Sequence, residues 1–277
     1  MHTLDKPEDL AELKQAVALL EAPSLTMRIA AVVGKPIEWA IDFLPAGASA
    51  RIQRAVHAAL RKSVSAALWT LDDKPRSASA NTAHLGLAAA SGAVGGFFGL
   101  TGTLLELPVS TTIMMRSVAD IARSQGFDVS DPLVQAECIQ VFALGGPGEG
   151  DDAAESAYYG MRNAMVMAAQ EVGISLAEVA AKQSLGRAPQ EASSVLVRLI
   201  EVVAKRLGIQ VTEKMAAQAV PVVGAVSGAA INALFTRHFQ DMARGHFTVL
   251  RLEQRYGKEV VSEQYLRIKQ ELNAGKV

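Results

Sequence analysis

The stretch 77–105, SASANTAHLGLAAASGAVGGFFGLTGTLL, runs for 29 residues without an Asp, Glu, Lys or Arg and carries six glycines. A hydrocarbon core is crossed by about 20 apolar residues, so the length alone admits either lipid or a protein core. The side chains favour the core. Ala and Gly outnumber the large apolar residues, and the pairs Gly92/Gly96 and Gly95/Gly99 put small residues on one helix face, where a neighbouring helix can approach closely. A second uncharged run, 215–236, MAAQAVPVVGAVSGAAINALFT, repeats the pattern with Pro221, Gly224 and Gly228 inside it. Both runs read as Gly/Ala-rich apolar hairpins inside an all-α, compact multi-helix bundle.

The remaining chain agrees with helices. Leu10, Leu13, Val17 and Leu20 recur at helical spacing behind Pro7, which suits a first turn. Shorter pieces follow at 25–33 and 37–44, separated by Gly34-Lys35-Pro36 and closed by Pro45. Asp72 to Asn81 is a loop. Pro108 limits the helix before it and opens one over 109–125, and Asp131-Pro132 makes an N-cap and N1 pair for 133–144. Further helices are expected over 153–172, behind a Ser175/Glu178 capping box, and over 193–207, with Gly208 as the stop. Ile209 to Val211 is a short β-like patch. The last helix, 258–272, carries Val261, Tyr265, Ile268 and Leu272 at heptad spacing and can pack on the body or join a second copy. The 277 residues read as one helical domain: N-terminal helices over 1–48, a core over 49–257 and this last helix.

Charge and cysteine content narrow the function. A formal charge of −1 gives no global pull towards nucleic acid, and the single Cys138 excludes an internal disulfide and a cysteine-built metal site. Cys138 lies in an apolar helical pattern with no cation beside it, the setting of a buried structural thiol. The charged start of the chain has no secretory signal pattern, so a cytoplasmic protein is expected. In 49–71, Arg51, Arg54, Arg61 and Lys62 lie opposite Ile52, Val56, Ala59 and Val64. Such a helix either forms the solvated side of a bundle or lies on an anionic bilayer.

Other motifs are weaker. The loop GGPGEGDD at 145–152 lacks the Lys-Ser/Thr of a phosphate cradle, and Glu149, Asp151 and Asp152 would repel an anion. Tyr158, Tyr159 and Arg162 follow at helical spacing as candidate ligand contacts, with Tyr158 and Arg162 on one face. His238 and His246 join them as candidates. His238 and Asp241 can meet at i, i+3, but His246 lies two turns on, about 12 Å along a straight helix, so no metal is assigned. Neither HExxH nor GxSxG occurs, no catalytic residue is assigned and no cofactor is expected.

A charge triad occurs twice: Arg116, Asp120 and Arg123 after the first Gly-rich run, and Arg237, Asp241 and Arg244 after the second, with Ala before the last Arg each time. Positions i, i+4 and i+7 share a helix face. The pair reads either as exposed intrahelical ion pairs or as a degenerate internal repeat, in which case the triads would meet across the core as one ion-pair network.

The second triad lies in the most characteristic part of the chain. Ala219 to Ala225, Ile231 to Phe235, His238 to Phe247 and Leu252 to Gly257 form a combination that resembles the bacterial EcsC family. Phe142 to Gly146, Glu155 to Arg162 and the segment from Leu107 to Arg116 support it, over about 60–257. The resemblance implies a helical fold and, from the ABC-transporter operon beside the gene that names the family, an expectation of support to a transporter or envelope process. It transfers no biochemical activity. The leading expectation is a non-enzymatic cytoplasmic protein peripheral to the inner membrane, whose partner is an anionic surface or a membrane protein. The alternatives are a hydrolase built around Tyr158, Arg162, His238 and Asp241, and an integral membrane protein inserting both uncharged runs.

Overall fold

The computed structural model describes residues 4, 6–69, 99–146, 157–170, 189–220 and 224–275. Among them it places ten α-helices, one 3-10 turn and no strand. The helices are α1 (Pro7–Leu20), α2 (Leu25–Val33), α3 (Ile37–Ile41), α4 (Ala48–Trp69) and α5 (Gly99–Ser124). After them come α6 (Pro132–Gln140), the 3-10 turn Val141–Ala143, α7 (Ala157–Gln170), α8 (Pro189–Ala219), α9 (Gly224–Tyr256) and α10 (Lys258–Asn273). The expected all-α bundle is therefore what the chain forms. Residues 77–98 of the first uncharged run, the acidic loop over 147–152 and the Ser175/Glu178 pair lie outside the described residues. The second run is divided between the end of α8 and the start of α9.

Local sequence sets the short N-terminal elements. Pro7 opens α1 with Glu8 and Asp9 in its first turn, where carboxylates oppose the positive end of the helix dipole. Ser24 caps α2 by accepting from the Met27 amide, and Gly34, at φ 72°, ends it in the left-handed conformation that glycine adopts without strain.

Two long helices, α8 and α9, form the frame. α8 packs against α2, α3, α4, α6 and α7, while α9 takes α1, α5 and α10. Gly208 does not stop the helix that contains it. A Cβ there would lie 1.8 Å from Oε1 of Gln53, and Gln53 donates through Nε2 to the Ala204 carbonyl at 2.8 Å. The glycine leaves room for the Gln53 side chain where α4 lies against α8, and the helix continues through the patch at Ile209 to Val211 that read as β-like. Gly245 serves the α1–α9 contact in the same way, since a Cβ there would meet Leu20 at 2.6 Å.

Pro108 likewise lies inside α5 and opens nothing. A proline in a helix removes one i to i−4 bond and disturbs one turn at a cost of about 3 kcal/mol; packing along α4 offsets that loss and keeps the two halves as one helix. The heptad-spaced residues of α10 are used internally: Val261, Tyr265 and Ile268 are buried against the chain's own body, where α10 packs on α1 and α9.

No single helix among the described residues is long and apolar enough to cross a membrane. α1 and α2 together reach that length and composition, but they meet at 57°. Their apolar residues Leu13, Val17, Leu25 and Ile29 are fully buried in the protein.

Candidate functional site

Two polar regions stand out, one closed and one open. The closed one forms where α7 crosses α9 and α10. Tyr158 and Tyr159, adjacent in sequence, meet with centroids 5.1 Å apart, and their hydroxyls go to different partners. Tyr158 Oη lies 3.0 Å from His246 Nδ1, and His246 Nε2 lies 2.9 Å from Glu137 Oε2. A carboxylate only accepts, so Nε2 carries the proton towards Glu137 and Nδ1 of the neutral ring accepts from the tyrosine hydroxyl. Burial holds the Tyr158 hydroxyl well above the usual tyrosine range, which keeps it a donor. Burial also opposes ionisation of Glu137, but the hydrogen bond from His246, with the charge of Arg162 beyond it, outweighs this and leaves the carboxyl below its ordinary value.

Beside this chain, Arg162 grips Glu253 with two parallel bonds of 2.8 and 3.0 Å, and Tyr159 donates to the same carboxylate at 3.0 Å. The Arg162 guanidinium also faces both tyrosine rings, 5.5 and 5.7 Å from their centroids. Burial alone would lower its pKa; the hydrogen bonds and charge of Glu253, with the charge of Glu137 beyond, raise it instead. Tyr265 of α10 stacks on Tyr158 at 5.5 Å and donates to Glu21 of α1. Donors and acceptors are thus matched within the chain: α6, α7 and α9 are fastened together by them, and α10 is tied to the end of α1.

Of the candidate ligand contacts, the structure brings Tyr158, Tyr159, Arg162 and His246 together and leaves His238 elsewhere. His238 Nε2 lies 3.4 Å from the Leu144 carbonyl, and a Cβ on Gly145 would fall 2.3 Å from its ring. Burial lowers its pKa to about 4, with the nearby charge of Arg28 acting in the same direction. Asp241 pairs with Arg244. The four residues of the hydrolase alternative therefore fall into separate contacts: Tyr158 and Arg162 with His246 and Glu253, His238 with Leu144, and Asp241 with Arg244. Cys138 is fully buried, and burial followed by the charge of Glu137 pushes its thiol pKa up, away from nucleophilic chemistry.

The two charge triads end in unlike places. Asp120 and Arg123 are buried and Arg116 partly so, whereas Arg237 is exposed and the Asp241–Arg244 pair, 2.6 Å apart, is partly exposed. α5 and α9 do meet, and residues next to the triads bond there: Gln240 Nε2 donates to Ser117 Oγ at 2.9 Å. With Gln240 turned towards α5, Asp241 is carried about 100° around the helix and away from that contact. The triads do not face one another as expected; the charges that act on Asp241 come from Arg244, Arg28 and Arg237.

The open region is α4. Arg51, Arg54, Arg61 and Lys62 are all exposed, while Ile52, Val56, Ala59 and Leu60 are buried. At about 100° per residue the four cations fall within about 100° of one another, opposite the buried set. No Asp or Glu occurs anywhere in this helix.

Glu137 and Glu253, on which the closed region depends, were not singled out in the sequence. Each lies more than 90 residues from its partner, and only the Leu252-Glu253 step of the family resemblance touched either. Compared with protein-family models, residues 8–252 match the EcsC protein family, a span that begins in α1 and so includes the N-terminal helices. No curated protein and no solved structure matches the chain.

Proposed function

The chain belongs to the EcsC protein family, and from that premise we propose that it is a non-enzymatic cytoplasmic protein that associates peripherally with the inner membrane, through the cationic face of α4, in support of a transporter or envelope process. The observation that carries this reading is the segregation of α4: four exposed cations in one arc, with the opposite arc used to dock the helix on α5 and α8. A cation close to an anionic leaflet contributes about 1 kcal/mol, so Arg51, Arg54 and Lys62 alone amount to about 3 kcal/mol, or more than about a hundredfold in partitioning. Such binding is reversible and sensitive to salt, because the Debye length falls from about 10 Å at 0.1 M to about 3 Å at 1 M. The closed Tyr158–His246–Glu137 and Arg162–Glu253 cluster enters this reading as the fastening that keeps the helices in place.

Sedimentation with lipid vesicles tests the proposal. Vesicles containing phosphatidylserine should pellet the protein at low salt, vesicles of phosphatidylcholine alone should not, and raised salt should weaken the binding markedly. Equal behaviour towards both lipids at every ionic strength would remove the membrane reading.

A further inference from the structure

Eight large hydrophobic residues are exposed among the described residues, and five of them, Met27, Val32, Trp39, Ile41 and Phe43, fall in one short segment. Single exposed apolar side chains are ordinary, but a concentration of this kind marks a contact surface. The sequence accounts for it. Pro36 and Pro45 confine α3 to five residues, so it can bury only Ile37 and Ala40 and leaves its remaining side chains outside. Trp39 and Phe43, one turn apart, meet edge to face with centroids 4.8 Å apart. They form a preassembled aromatic pair on the surface, 40% and 42% exposed.

This elbow shares its support with α4. Thr26 of α2 donates to Glu213 of α8 at 2.7 Å, and Gln53 of α4 donates to the Ala204 carbonyl of α8. Nine residues separate those two anchor points, about 14 Å along the helix. From 24 to 62 the chain carries six Lys and Arg against the two acids Glu38 and Asp42. Aromatic and aliphatic side chains flanked by cations fit the boundary between lipid headgroups and acyl chains, where apolar groups enter by about 5–10 Å. A second copy of this chain would bring like charge to the same surface, which favours an anionic bilayer as the occupant.

We infer that the α2–α3 elbow enters the interfacial layer of the bilayer, with Trp39 and Phe43 leading, while α4 supplies the electrostatic attraction. The inference rests on the membrane reading proposed above and adds to it a part of the binding that salt does not remove.

Tryptophan fluorescence tests it on the full chain. The protein has two tryptophans, so Trp69→Phe leaves Trp39 as the sole reporter. Adding phosphatidylserine-containing vesicles should shift Trp39 emission to the blue and protect it from acrylamide. The double variant Trp39→Ala/Phe43→Ala, with unchanged circular dichroism, should lose about tenfold or more in vesicle partitioning and should be released fully by high salt, whereas the parent keeps a residual bound fraction. If vesicles pellet the protein while Trp39 stays solvent-exposed and the double variant binds as the parent does, the elbow is not inserted and the charge-only reading stands alone. If no vesicle binds the protein, the membrane reading fails and this inference with it. A blue shift that appears without lipid, as protein concentration rises and the sedimentation coefficient grows, would assign the elbow to self-association and overturn the inference.

Discussion

The polar cluster at the α7–α9 crossing and the cationic face of α4 use similar residues to opposite ends. In the cluster, Arg162 and Glu253 are 14% and 9% exposed, and each charge meets a counter-charge from another helix. On α4, four cations share one exposed face and the helix holds no acid. Charge that is matched inside the fold contributes to uniqueness and rigidity; charge presented outward, as at Arg51, Arg54 and Lys62, faces solvent. Tyrosine, histidine and arginine in proximity look like a site on paper, yet here their partners lie within the chain, and the more ordinary-looking helix is the better candidate for recognition.

The largest expected effect lies in the cluster. Arg162→Met or Glu253→Gln removes one member of a buried, doubly hydrogen-bonded pair and should cost about 3–5 kcal/mol in urea unfolding, with the double replacement recovering part of the loss. A loss below about 1 kcal/mol would mean that the cluster is solvated, and the contrast with α4 would disappear.

The two triads sharpen the same contrast on helices of matched spacing. Asp120, 3% exposed, is buried together with Arg123, whereas Asp241 sits in a partly exposed pair with Arg244. Asp120→Ala should cost about 3 kcal/mol or more and Asp241→Ala about 0–1 kcal/mol. Equal losses in two thermal melts would show that burial does not separate them.

A smaller effect is confined to mildly acid pH. His238 is 1% exposed and its pKa is lowered to about 4. Because the folded value lies below the unfolded one of about 6.5, the unfolded chain takes up the proton first as pH falls. This contribution is complete above about pH 6.5 and is lost progressively down to about pH 4, at most about 3 kcal/mol. His238→Gln should flatten the stability profile across that window. An unchanged slope would move the acid sensitivity to other groups.

Much of the fold was legible because apolar spacing and terminal signals act locally. Pro7, Gly34 and the Asp131-Pro132 pair mark helix ends where the structure has them. Gly208 and Pro108 misled for one reason: each carries a local preference that a neighbouring helix overrides, Gln53 of α4 needing the missing Cβ and α4 packing across the proline. The closed cluster was half legible, since Tyr158, Tyr159 and Arg162 stand out by type and spacing. Their carboxylates did not, because Glu137 and Glu253 come from remote parts of the chain. The triads show the limit of spacing as evidence: an identical i, i+4, i+7 pattern places three charges on one face of a helix and is silent about which way that face turns.

The membrane reading depends most on Arg51, Arg54 and Lys62 of α4 acting as a binding surface. Replacing Arg51, Arg54 and Lys62 together by Gln tests this directly, with the thermal melt and the partitioning to phosphatidylserine-containing vesicles measured on the same protein. The expected result is a melt within about 5 °C of the parent, since each exposed substitution stays within about 0.5 kcal/mol, together with a loss of most salt-sensitive vesicle binding. Undiminished binding by a protein that melts as the parent does would contradict it.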